Sequence, residues 1–158
     1  AKVIVTSKSD EKLERAKRLG ADVLLNYTTT PDWGKEAKKL AQGEGVDIVV
    51  EVGGAGTLEQ SIRATRPSGS IALIGVLARA SDPKALSTAL TTALMSNIRI
   101  QGVFVGSREL AQKTCETMTR ARLRPVISET FPLAETKRAL ERMAEGAHMG
   151  KIVVRLLD

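Results

Sequence analysis

The chain has 158 residues, 42% apolar and 27% charged, with 24 basic against 18 acidic side chains and a formal charge of +6. That is enough for one domain with one core; no apolar run approaches the roughly twenty residues of a membrane span and no signal peptide opens the chain, so the expected setting is cytoplasmic. The basic residues are dispersed over helical segments without interleaved aromatics, which argues against nucleic-acid binding, and a single Cys115 and a single His148 exclude an internal disulfide, a histidine-pair metal centre and a His-based triad.

In chain order, Lys2–Thr6 reads as a short buried strand. Ser9 or Asp10 then caps a helix through Leu19, with Leu13, Ala16 and Leu19 on one face and Gly20 stopping it. Ala21–Asn26 is the second strand, ending at Tyr27. Asp32 is the expected cap of a helix through Ala41 whose wet face carries Lys35, Lys38 and Lys39.

Next comes Val46-Asp47-Ile48-Val49-Val50-Glu51-Val52, rich in β-branched residues and suited to a strand covered on both faces. It ends in Gly53-Gly54-Ala55-Gly56, a glycine turn, with Thr57 as the expected cap of a helix through Thr65. Strand, turn and helix N-terminus together predict a seat for a phosphate or a flat ring beyond the strand end. The run begins like a dinucleotide fingerprint but has Glu59 where the third glycine belongs, and the next strand ends Leu73-Ile74-Gly75-Val76 without an acid, so it reads as a later strand of such a fold. Pro67-Ser68-Gly69 is expected to turn the chain into that next strand, Ser70–Gly75.

Strand and helix thus alternate three times with a period of about twenty-five residues, the pattern of a parallel sheet wound on both faces. Ser81-Asp82-Pro83 reads as a helix start, and 84–95 as a helix or partly a lid. Ile98–Val105 alternates as an edge strand, Ser107 caps a helix to about Ala121 that buries Cys115, and an extended run 124–131, a helix to Glu145 and a strand 151–156 close the chain.

These residues, in this order, resemble a known family. Val-Ile-Val-Thr-Ser-Lys-Ser-Asp-Glu-Lys-Leu, Leu-Gly-Ala-Asp with Asn-Tyr, Gly-Val-Asp-Ile-Val-Val-Glu-Val-Gly-Gly, Leu-Ile-Gly-Val and Gly-Lys-Ile-Val-Val look like the cofactor-binding half of medium-chain dehydrogenase/reductases, of the zinc-type alcohol-dehydrogenase-like and quinone-oxidoreductase-like kind. The resemblance implies a doubly wound Rossmann fold of three layers over 1–158, with 124–158 returning toward a catalytic domain. It also implies that the family's first strand and Gly-rich loop belong upstream of Ala1, the strand lying between 2–6 and 46–52. The chain is therefore expected to be part of a larger enzyme, inactive alone, with any zinc ligands and most substrate contacts outside it.

Within that frame Ser7 and Lys8 stand where an NAD-preferring protein places an acid, which points to NADP over NAD: a hydroxyl and a cation suit the 2′-phosphate, and Lys12 lies one helical turn further on. Ser7, Lys8, Lys12 and Tyr27 match the family's adenosine-end positions. Val52, Gly53 and Gly54, with Gly75, Val76 and Leu77, end neighbouring strands where ribose and nicotinamide lie, and Phe104, Val105 and Gly106 match the segment that meets the carboxamide. The implied function is hydride transfer between NADP(H) and a small-molecule alcohol, carbonyl, enone or quinone, with 98–105 as the edge of a homodimer. An inactive nucleotide-binding or interaction module is the alternative. No acid, base or nucleophile in the chain marks itself as catalytic.

Overall fold

The computed structural model describes residues 1–77 and 83–156. They form two compact units, 1–105 and 106–158. Ser81 and Asp82, read as the start of a helix, lie outside the described residues.

The first unit opens with β1 (Ile4–Ser7), α1 (Asp10–Arg18), β2 (Val23–Asn26) and α2 (Trp33–Leu40). β1 and β2 run parallel in a two-stranded ladder, Ile4 opposite Val23 through Ser7 opposite Asn26. Ser9 caps α1 as expected, its Oγ accepting from the Lys12 N–H at 3.3 Å, and Gly20 ends the helix at a φ of +105°. Asp32 makes no cap bond through its side chain. Instead α2 is held from outside: Gly34 donates its N–H to the Gln60 side chain at 2.9 Å, and Ala37 packs with Leu25 and Ala64 in a small core that Ile4, Trp33 and Val46 extend.

The larger ladder is β3 (Val46–Glu51), β4 (Thr65–Leu73) and β5 (Arg99–Gly102), parallel throughout in the order β3-β4-β5, with α3 (Leu58–Ala64) and α4 (Pro83–Met95) between them in sequence. β4 begins earlier than the sequence suggests. The turn expected at Pro67-Ser68-Gly69 is absorbed as a bulge, because Val46 already pairs with Thr65 and Ile48 next pairs with Ser70. Ser68, at a φ of +58°, sends its N–H to the Ser96 carbonyl at 2.9 Å, so the extra residues are tied to the end of α4.

One face of this ladder makes the main core. Ile62 and Ile71 are completely buried and pack with Leu58, Ala89 and Ala93, with Val49, Leu86, Ile98 and Ile100 around them. Burying each isoleucine contributes about 1.5–3 kcal/mol. Leu86, Ala89 and Ala93 recur at helical spacing, so α4 is a core helix rather than a lid. On β3 and just past its end, side chains of opposite parity to Val49 stand in water: Ile48 is 66% exposed, Val50 64% and Val52 55%. The sequence pointed to a strand covered on both faces, and only one is. Among the described residues, no ladder joins β1 or β2 to β3, β4 or β5; β1 pairs only with β2 and β3 only with β4.

The second unit contains α5 (Arg108–Arg120), β6 (Ile127–Pro132), a 3₁₀ turn (Leu133–Glu135), α6 (Thr136–Ala144) and β7 (Lys151–Arg155), with β6 and β7 parallel. Ser107 caps α5, accepting from the Leu110 N–H at 3.2 Å. Cys115 is exposed, against the expectation of a buried thiol, since α5 buries none of its residues. Arg142 clasps α6 to β6 through Glu129 at 2.6 Å and also bonds Glu145 at 2.7 Å; these two bonds, Glu129's first, push its guanidinium above its ordinary pKa.

Candidate functional site

Parallel ladders present all their strand ends at one edge, and in both ladders of the first unit the chain turns there into a helix. At the β1–β2 edge, the Tyr27 N–H donates to the Ser7 carbonyl at 3.1 Å, and the Ser9 N–H donates to the Ser7 hydroxyl at 3.2 Å. Ser7, Lys8 and Tyr27 therefore share one edge, with Lys8 and Tyr27 exposed and Lys12 in the first turn of α1 behind them.

Asn26 organises this edge, and the sequence reading passed over it. Its Nδ2 donates to the Asp10 carboxylate at 2.7 Å and to the Lys8 carbonyl at 3.5 Å, while its Oδ1 accepts from the Thr28 N–H at 3.0 Å and the Thr28 hydroxyl at 2.6 Å. The α1 start and the turn after β2 are thereby pinned together. Asn26 also fixes an acid, Asp10, beside the lysines.

The β3–β4 edge is drawn tighter. The Ile74 N–H donates to the Glu51 carbonyl at 2.8 Å, and a Cβ built on Gly75 would overlap the Val52 carbonyl oxygen. Gly54, at a φ of +93°, lies so close to Gly75 and Val76 that only glycine fits. Val52, Gly53, Gly54, Gly75, Val76 and Leu77 are thus brought together, with Val76 and Leu77 each 88% exposed as an apolar ledge. β5 continues the edge: the Val103 N–H bonds the Leu73 carbonyl at 2.9 Å, and Phe104 and Val105 follow it into solvent. Gly106 opens the second unit.

Thr57 does not cap α3. Its hydroxyl donates instead to Glu51 Oε1 at 2.7 Å, and the same oxygen accepts from the Gly53 N–H at 2.7 Å and the Gly54 N–H at 2.9 Å. Glu51 Oε2 accepts from the buried Ser61 hydroxyl. A carboxylate that is only 3% exposed thus receives four donors. Asp47, the other acid of β3, is not its partner and pairs with Arg66 at 2.7 Å.

Among the described residues no three His, Cys, Asp or Glu side chains gather as a metal site. For a nicotinamide dinucleotide the fit is better: Val76 and Leu77 offer an exposed apolar ledge at the β3–β4 edge, and a cationic, hydroxyl-bearing edge stands on the β1–β2 ladder.

The model of the zinc-binding dehydrogenases matches residues 1–121. A zinc-type alcohol dehydrogenase-like protein of Schizosaccharomyces pombe is 39% identical over 99% of this chain, which corresponds to 45% of that protein. Among solved structures, an NAD-dependent alcohol dehydrogenase superposes with a TM-score of 0.85 at 32% identity, over 99% of this chain and 44% of that one. A 2-haloacrylate reductase superposes at 0.78 with 28% identity, over 100% and 51%. The chain spans about half the length of the relatives it matches.

Proposed function

The chain belongs to the zinc-binding dehydrogenase family, and from that premise we propose that it is the NADP-binding part of an oxidoreductase that passes hydride between NADP(H) and an alcohol, a carbonyl or an enone or quinone. The observation that carries the reading is the β3–β4 edge, where Gly54 closes on Gly75 and Val52, Val76 and Leu77 form an apolar shelf. Such a shelf suits one face of a flat ring. The bound nicotinamide supplies the redox chemistry. This chain's residues bind and orient it: Ser7, Lys8 and Lys12 receive the adenosine end and its 2′-phosphate, Tyr27 lies along the adenine or ribose, and Phe104, Val105 and Gly106 approach the carboxamide.

A second reading, NAD in place of NADP, is favoured by Asp10, which Asn26 holds beside the lysines, and by the likeness to an NAD-dependent alcohol dehydrogenase. A carboxylate there suits ribose hydroxyls and repels a 2′-phosphate. Parallel titrations with NADPH and NADH, followed by reduced-nicotinamide fluorescence, separate the two: tighter NADPH is expected, tighter NADH overturns the NADP assignment, and binding of neither overturns the site. The outer edge of β5 supports pairing with a second copy as a homodimer, which the molar mass from light scattering tests directly: twice the chain mass is expected, and a monomer mass overturns it.

A further inference from the structure

Glu51 is the buried titratable group that the cofactor reading leaves without a role. The Gly53–Gly56 turn has the form of an anion cradle, a strand end followed by glycines with their N–H groups turned inward. In such a cradle the N–H groups point at the ligand. Here those of Gly53 and Gly54 converge on Glu51 Oε1 at 2.7 and 2.9 Å, together with the Thr57 hydroxyl, while Ser61 donates to Oε2. All four contacts are donations to the carboxylate, which acts as acceptor only.

We propose that Glu51 is a built-in anion that occupies the cradle from beneath, so that the turn rejects phosphate and seats an uncharged group. This rests on the proposed dinucleotide site and deepens it. It assigns the turn to the neutral end of the ligand, since an arriving phosphate finds its donors already engaged and a like charge behind them. Glu51 does not touch the ligand. It is a positioning residue, acting through the Gly53 and Gly54 backbone, whose N–H groups it keeps engaged.

The test follows the Gly53 and Gly54 amide signals by two-dimensional nitrogen–proton NMR of the 158-residue chain, titrated with inorganic phosphate at constant ionic strength. In the wild type these two amides do not respond saturably, whereas amides near Lys8 and Lys12 do. Glu51→Gln keeps an oxygen for the glycine N–H groups and an amide that can donate to Ser61, so it leaves the turn formed and still unresponsive. Glu51→Ala frees both N–H groups and creates a saturable phosphate response at least ten-fold tighter than any in the wild type. A purely structural Glu51 predicts loosening without a phosphate site in Glu51→Ala, and that result overturns the proposal. Saturable phosphate shifts at Gly53 and Gly54 in the wild type overturn it equally, and that arm stands even where Glu51→Ala fails to fold. A separate NADPH titration of the wild type reports on the underlying site, so the two failures are distinguishable.

Discussion

Gly54 and Gly75 meet across the ends of adjacent strands: with Gly54 at a φ of +93°, a methyl group added to it would stand 2.8 Å from the Gly75 carbonyl oxygen. Gly54→Ala thus combines two penalties, the positive φ, about 1–3 kcal/mol, and a collision with backbone that has no flexible end to move. Gly43→Ala carries the first alone, since Gly43 sits at +86° in open space. Thermal unfolding of both variants is expected to place Gly54→Ala several degrees below Gly43→Ala, and nucleotide affinity to fall in the former only.

Ser61 and Glu51 form the second test. Removing a buried donor leaves a carboxylate oxygen unsatisfied, so Ser61→Ala is expected to cost about 1–3 kcal/mol in urea unfolding. Because the two side chains share one contact, which either truncation removes, Ser61→Ala combined with Glu51→Ala costs less than the sum of the single changes. Additive costs contradict the coupling.

At the other edge, charge decides. Lys8→Ala with Lys12→Ala is expected to shrink any preference for NADPH over NADH by roughly ten-fold or more, as lost charge-assisted hydrogen bonds do. Asp10→Asn acts with the opposite sign and raises NADPH affinity relative to NADH. Equal ratios in all three proteins, read by fluorescence titration, remove Lys8, Lys12 and Asp10 from the specificity determinants.

Cys115 stands exposed on α5. A disulfide reagent that releases a coloured thiolate is expected to modify the native chain within a few-fold of its rate on the urea-unfolded chain. Protection by orders of magnitude would place the thiol in a packed environment.

Much of the fold was legible because local chemistry and tertiary packing agree. Ser9 and Ser107 each directly precede a helix, and both cap as read. Thr57 looked equally suitable, yet its hydroxyl is drawn to Glu51, an acceptor six residues upstream that only the closed turn brings within reach. The same contact hid the role of Glu51. An acid ending a β-branched strand before Gly-Gly, with hydroxyls six and ten positions later, was the available signal, and reading the glycines for φ alone missed where their N–H groups point.

Pro67-Ser68-Gly69 carried turn residues and does bend, but the early pairing of Thr65 with Val46 makes that bend a bulge inside a strand. Asn26 escaped notice because its side chain joins Thr28, two residues on, to Lys8 and Asp10, which lie in the preceding strand–helix turn and which only the pairing of β1 with β2 brings within reach. Cys115 misled by residue type: cysteines favour interiors, but α5 presents no buried face.

The side of β3 that carries Ile48 and Val50, continued by Val52, makes the protein's behaviour in a buffer depend on which salt the buffer contains. Sulfate and phosphate strengthen apolar association, chloride far less, so the chain is expected to precipitate first in the former at matched ionic strength.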